Sequence, residues 1–263
     1  MELTREFVKS LPKAELHCHL DGSMRLSTIL ELAKEQNVKL PTDDPKKLES
    51  MLKVGMDCPS LEVYLKAFDI TCSVLQTYQS LVRATYELAE DCAAENVWYL
   101  EIRFSPILHV NKGLKLTEVI DAVLEGKVRA ERDFNIKVGI IVCGLRHSTP
   151  ETSLLLAELA VAYKNRGVVG YDLAGAEDGF PAKDHKEAFD LIINNNINTT
   201  VHAGEAIKNF VYFFHDGHRY TILISKYLCR LCTVSTFDYH LNFSLSFCKS
   251  LALSKKHTCT AVS

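Results

Sequence analysis

Five apolar runs of strand length recur along the chain: AELHCHL (14–20), VWYLEIRFS (97–105), IKVGIIVCGL (136–145), VVGYDLAG (168–175) and INTTVHAG (197–204). Each is apolar almost throughout, which is what a parallel strand buried on both faces requires; a half-exposed antiparallel strand would alternate with polar residues. Helical patterns lie between them. One carries Leu116, Val119, Ile120, Val123 and Leu124 on one face, with Thr117 close to its start. The alternation predicts an α/β fold built on a parallel sheet with helical crossovers. A longer insertion, residues 40–75, separates the first helix from the second strand, and its stretch LEVYLKAF is expected to cap one end of the sheet. Within it, Asp43 and Asp44 of PTDDP read as a helix-entry turn.

Composition narrows the function. A chain of 263 residues, 47% of them hydrophobic, has enough apolar material for one large α/β domain or two small ones. Its formal net charge of -3, with basic residues scattered among acids, offers no field for a nucleic-acid backbone. The N-terminal stretch lacks the basic-then-apolar order of a signal peptide and no segment has the length and apolarity of a membrane span, so a cytoplasmic location and no membrane partner are expected. Nine cysteines at irregular spacings read as reduced thiols rather than a disulfide framework.

Candidate chemistry sits at the ends of the strands. In AELHCHL, His17 and His19 share one face while Cys18 points to the other, so two imidazoles enter one cavity, a donor pair suited to zinc. A pair of hydrogen-bonded core histidines is the other reading. VHAGE (201–205) supplies a third imidazole, His202, with the carboxylate of Glu205 three residues on, as a hydrolytic metal site needs; alone it would be an ordinary strand-to-helix turn. DLAGAE (172–177) ends a further strand, where Gly175 permits close approach of a ligand and Asp172 or Glu177 offers polar contacts; its alternative is a plain turn with a solvated acid.

Together these motifs resemble the adenosine deaminase family over residues 7–206. The resemblance rests on HCHLDG (17–22), the segment from Gly55 to Asp69, the strand from Glu101 to Pro106, Arg146 with His147, DLAGAE and HAGE, in that order. It implies a TIM-type (β/α)8 barrel with its site at the C-terminal ends of the strands. It further implies one zinc ion per chain on His17, His19 and His202, with His19 also touching substrate, and Glu205 as the catalytic proton donor to purine N1. Asp21 is implied as a ribose contact, Gly175 as a backbone contact to the purine, and Leu61, Tyr64, Leu65 and Phe68 as an apolar lid, for which core packing of a helix pair is the alternative. The activity so implied is zinc-dependent hydrolytic deamination of adenosine and 2'-deoxyadenosine, small-molecule purine nucleosides, to inosine and ammonia in purine salvage.

The resemblance stops after HAGEA. The family's later strand-end histidine and its final pair of aspartates have no counterpart, and His215, His218 and the CRLC pair (229–232) do not reproduce the expected spacings. Residues 206–263 carry seven Lys and Arg against two Asp, with no Glu and no Pro. The expected organisation is therefore a partial barrel domain over 1–205, holding five β/α units and a helical lid at 40–75. An atypical tail, 206–263, follows it, as an altered reading frame would produce. Two alternatives stay open: a catalytically inactive truncated isoform or fragment, and an adenine or modified-nucleotide deaminase. Oligomeric state is left undetermined by the sequence.

Overall fold

The computed structural model describes residues 4–53 and 60–204. A short helix α1 (Arg5–Ser10) leads into strand β1 (Lys13–His19), followed by helices α2 (Leu26–Glu35), α3 (Pro45–Leu52), α4 (Leu61–Val74) and α5 (Tyr78–Ala94). Strand and helix then alternate through β2 (Val97–Phe104), α6 (Leu116–Asp133), β3 (Lys137–Leu145), α7 (Pro150–Tyr163), β4 (Val168–Ala174), α8 (Lys186–Asn194) and β5 (Asn198–Thr199). The five strands form one sheet in the order β1-β2-β3-β4-β5, and every pairing is parallel. This is the parallel α/β sheet that the apolar runs predict and the TIM-type layout that the family resemblance implies, with five strands among the described residues.

The central strands behave as their composition demands. Every residue of β3 after Lys137 is buried, and β4 is buried except at Val169, because helices cover one face and the interior of the sheet the other. β1 departs from this: Leu16 is 49% exposed, and burial is complete only at His17 and Cys18. β5 is shorter than the expected run 197–204. Thr200 and His202 still donate their N–H groups to Tyr171 and Leu173 of β4 at 2.9 Å, but the chain leaves regular pairing as it enters the turn at Gly204, where φ is +78°.

The insertion 40–75 becomes α3 and α4 within the described residues. Asp44 caps α3 by accepting from Lys46 N at 2.9 Å with Pro45 in the first turn, as the helix-entry reading requires, and Ser60 caps α4 by accepting from Val63 N. Positions 55–59 of the lid segment, Glu205 and the tail 206–263 lie outside the described residues.

The crossover α5 is not singled out by the sequence pattern, yet it forms a 17-residue helix opened by a capping box between Thr77 and Ser80. It packs against α6 at Gly126, where an added Cβ would lie 2.5 Å from the carbonyl oxygen of Val82, so only glycine admits this approach.

Candidate metal centre and pocket

β1 ends by turning His17 and His19 inward while Cys18 packs into the apolar cluster with Ile29 and Leu32. The turn after β5 brings His202 to the same place. One ring nitrogen from each of His17, His19 and His202 lies within 4.8 Å of the others, and Nε2 of His19 is 3.1 Å from Nε2 of His202. Their ring centroids are 4.6–5.3 Å apart. Burial, then the neighbouring His202 and the charge of Arg103, hold His17 and His19 well below the ordinary histidine range, so both rings stay neutral at physiological pH. Three imidazoles converging from two strand ends fit a borderline divalent ion such as zinc, which takes nitrogen donors and leaves a position for water.

Beneath this trio lies a buried charge pair that fixes it. Arg103, in the interior of β2, is 1% exposed and donates from Nη1 to Oδ2 of Asp172 at 3.0 Å, from Nη2 to the carbonyl of Leu16 at 2.8 Å, and from Nη1 to Oγ1 of Thr200 at 3.4 Å. The same Oδ2 stands 2.8 Å from Nδ1 of His202. Burial pushes the Asp172 carboxyl upward, but the charges of His202 and Arg103 outweigh it and hold it well below the ordinary carboxylate range. The carboxylate therefore directs the His202 ring with Nε2 toward the trio, the outer-sphere arrangement found around metal-bound histidines. This corrects the reading of Asp172 as a ligand contact: it lies behind His202, wholly buried. Glu177 is likewise structural, accepting from Gly204 N at 2.8 Å and holding the HAG turn. Arg146 ties the same turn down through its Nη2 to the carbonyl of His202 at 2.7 Å and its Nη1 to that of Phe180 at 2.9 Å.

A cavity of about 780 Å³ opens beside the trio. Of the residues singled out in sequence, His19, Asp21, Leu65, Phe68, Asp69, His147 and Gly175 line it. His19 is the member of the trio that lines it, with the rings of His17 and His202 at 5.3 and 5.2 Å from its own, and Phe68 meets His19 edge-on with ring centroids 5.9 Å apart. Tyr64 stands edge-on to Phe68 at 5.6 Å, and Leu61 lies one turn earlier on the same helix, α4. Gly175 has a φ of +90°, and an added Cβ there would meet Nδ1 of His147 at 2.8 Å, which explains a glycine at this bend on two counts. Burial, offset in part by hydrogen bonds, pushes the Asp21 carboxyl up to about 6.

The sequence reading does not reach the roles of Arg103 and Arg146. One signal was present: an arginine near the end of a strand that is mostly apolar is a residue that needs a buried partner.

Comparison with known proteins agrees with this geometry. The family model described as adenosine deaminase matches residues 12–211. The chain is 53% identical over 204 residues to a probable adenosine deaminase of Dictyostelium discoideum, covering 78% of this chain and 26% of that protein. It is 43% identical over 201 residues to the adenosine deaminase of Clostridium acetobutylicum, covering 76% of this chain and 60% of that one. It thus spans between about a quarter and three-fifths of the length of these two relatives. Among solved structures it is similar to an amidohydrolase of Burkholderia ambifaria with bound Zn, at a TM-score of 0.69 and 26% identity over 78% of this chain and 56% of that one. On the extent of these matches, the chain belongs to the adenosine deaminase family.

Proposed function

We propose that this chain carries the zinc-binding and purine-binding half of a deaminase that hydrolyses adenosine and 2'-deoxyadenosine to inosine and ammonia, in the cytoplasm and in purine salvage. The observation that carries the reading is the convergence of His17, His19 and His202 where His19 lines a cavity large enough for a nucleoside. A zinc ion on those three imidazoles would supply an activated water for attack on C6 of the purine ring.

The chain's own residues do the rest. Asp172 keeps the His202 ring oriented, and Arg103 keeps Asp172 charged. Leu65 and Phe68 exclude water from one side of the cavity, with Leu61 and Tyr64 extending that apolar wall along α4. Asp21 accepts a ribose hydroxyl, the Gly175 backbone meets the purine, and Glu205 gives its proton to N1 as the amino group leaves. The family resemblance supports those last assignments, and turnover in this chain requires the 206–263 segment or a second chain to supply the family's later histidine and aspartates.

The test is ammonia release from adenosine by the purified, zinc-loaded chain, beside a Glu205→Gln variant and a metal-site variant, His17→Ala. Release that both substitutions abolish supports a complete site. A folded, zinc-bound chain that shows no release overturns deamination by this chain alone and supports a catalytically inactive product.

A further inference from the structure

A second set of metal-donor side chains stands apart from the imidazole trio. Asp21 follows β1, Cys72 lies in the last turn of α4, and His109 closes the short 3-10 turn after β2; one donor atom of each lies within 4.8 Å of the other two. Sγ of Cys72 is 3.6 Å from Oδ2 of Asp21, the spacing that two ligands on one tetrahedral ion take, about 3.3–3.8 Å. His109 is fully buried, and its Nδ1 is 3.0 Å from the carbonyl of Leu75. That contact makes Nδ1 the protonated nitrogen and leaves the lone pair on Nε2, the tautomer a ligating histidine uses when a backbone carbonyl holds its other nitrogen. Among the described residues, neither Nε2 of His109 nor Oδ1 of Asp21 has a hydrogen-bond partner, though both side chains are more than nine-tenths buried. Buried polar atoms left this way are costly to the fold, and a bound ion that takes them as ligands removes that cost.

We propose that Asp21, Cys72 and His109 form a second cation site, selective for a thiophilic divalent ion of the Zn2+ or Cd2+ class. Carboxylate, thiolate and imidazole together exclude Mg2+ and Ca2+, which take oxygen ligands. Cys72 releases its thiol proton to solvent as the sulfur takes the ion, and the fourth position opens to the cavity that Asp21 and Cys72 line. The site joins three separate elements, so a bound ion clamps α4 to the ends of β1 and β2. It also withdraws Asp21 from the cavity, and the resulting inhibition of nucleoside binding rests on the function proposed above; the site itself does not.

The experiment is a cadmium titration of the chelator-stripped full-length chain in a Cys229→Ser/Cys232→Ser background. It is followed by equilibrium dialysis and by the ultraviolet cadmium–thiolate charge-transfer band. The expected result is two ions per chain with a thiolate band. Cys72→Ser should lose one ion and the band, and His109→Gln should bind that ion about tenfold or more weakly. His17→Ala should lose the other ion and keep the band. A Cys72→Ser chain that retains both ions or the band overturns the proposal, as does a folded His109→Gln chain with unchanged affinity. Cys72 is only half-buried, so its substitution remains a fair test if His109→Gln fails to fold. Because the readout is metal content and not deamination, loss of the functional reading leaves this result standing.

Discussion

Oδ2 of Asp172 lies 2.8 Å from Nδ1 of His202, at a point where neither side chain is more than 4% exposed. The contact makes the position of His202 dependent on a carboxylate from the neighbouring strand rather than on its own backbone turn. Asp172→Asn keeps the shape but removes the charge, and the amide can present an N–H where His202 needs an acceptor. Zinc affinity, measured by dialysis against a competing chelator, should fall about 10–100-fold. An unchanged affinity would mean that the turn at Gly204 positions His202 unaided.

The Arg103 pair answers to stability rather than to the metal alone. Its guanidinium bonds to Asp172, Leu16 and Thr200, so one side chain joins residues from β1, β4 and the chain after β5. Arg103→Met leaves the Asp172 carboxylate buried with half its compensation gone. Breaking such a pair costs about 3–5 kcal/mol. The check is the urea midpoint of the variant, and a change below about 1 kcal/mol would show that water has entered to solvate the acid.

Gly126 predicts a clash with a definite sign. An alanine in a helix interior gains about 1 kcal/mol over glycine. Here its Cβ would stand 2.5 Å from the Val82 carbonyl and 2.7 Å from Cβ of Thr85, and a backbone oxygen cannot swing aside. Gly126→Ala should therefore separate α5 from α6 and lower stability by about 1–3 kcal/mol. A rise in thermal midpoint would show that the two helices slide without loss.

His109 gives a pH dependence. Burial, opposed by the Leu75 carbonyl, pulls its imidazole down to about 4, whereas the unfolded chain's histidine has its ordinary value of 6.5. Between those values the unfolded state binds a proton that the folded state refuses, so stability is fully present above pH 6.5 and is lost as pH falls toward 4. The full difference amounts to about 3 kcal/mol. Metal-stripped protein should show urea midpoints falling across that window, and His109→Gln should flatten the slope. A parallel slope in the variant would assign the acid sensitivity to other groups.

The legible parts of the fold were those in which one run of residues carries its own signal. β3 and β4 are buried on both faces, so their apolar runs mark the strands to within a residue or two. The cap at Asp44 was legible for the same local reason. The run that predicts β5 extends further than the strand because its apolar character continues past the point where regular pairing ends at Thr199. Within the site, the spacing of His17 and His19 shows that they share a face, and the structure brings His202 to them. The Arg103–Asp172 pair depends on residues 69 apart meeting inside the sheet, and the Asp21–Cys72–His109 group on three elements converging; no spacing along the chain encodes either. Asp172 reads as a contact in the pocket because the sequence shows an acid at a strand end without showing which side of His202 it occupies.

The order of the strands has a consequence for how the chain acquires its shape during synthesis. Each strand after the first pairs with the one made immediately before it, so an elongating chain always presents the finished edge that the next strand requires. A unit of about 30 residues leaves the ribosome in roughly 2–6 s, and a unit with its docking edge already in place can fold before its successor is complete. The first step is the exception. Residues 20–96 must be made and gathered between β1 and β2, and closing so long a loop carries the largest entropy cost of any junction in the sheet. The early chain therefore waits longest with β1 unpaired, and the packing of α2, α4 and α5 sets when assembly of the sheet begins.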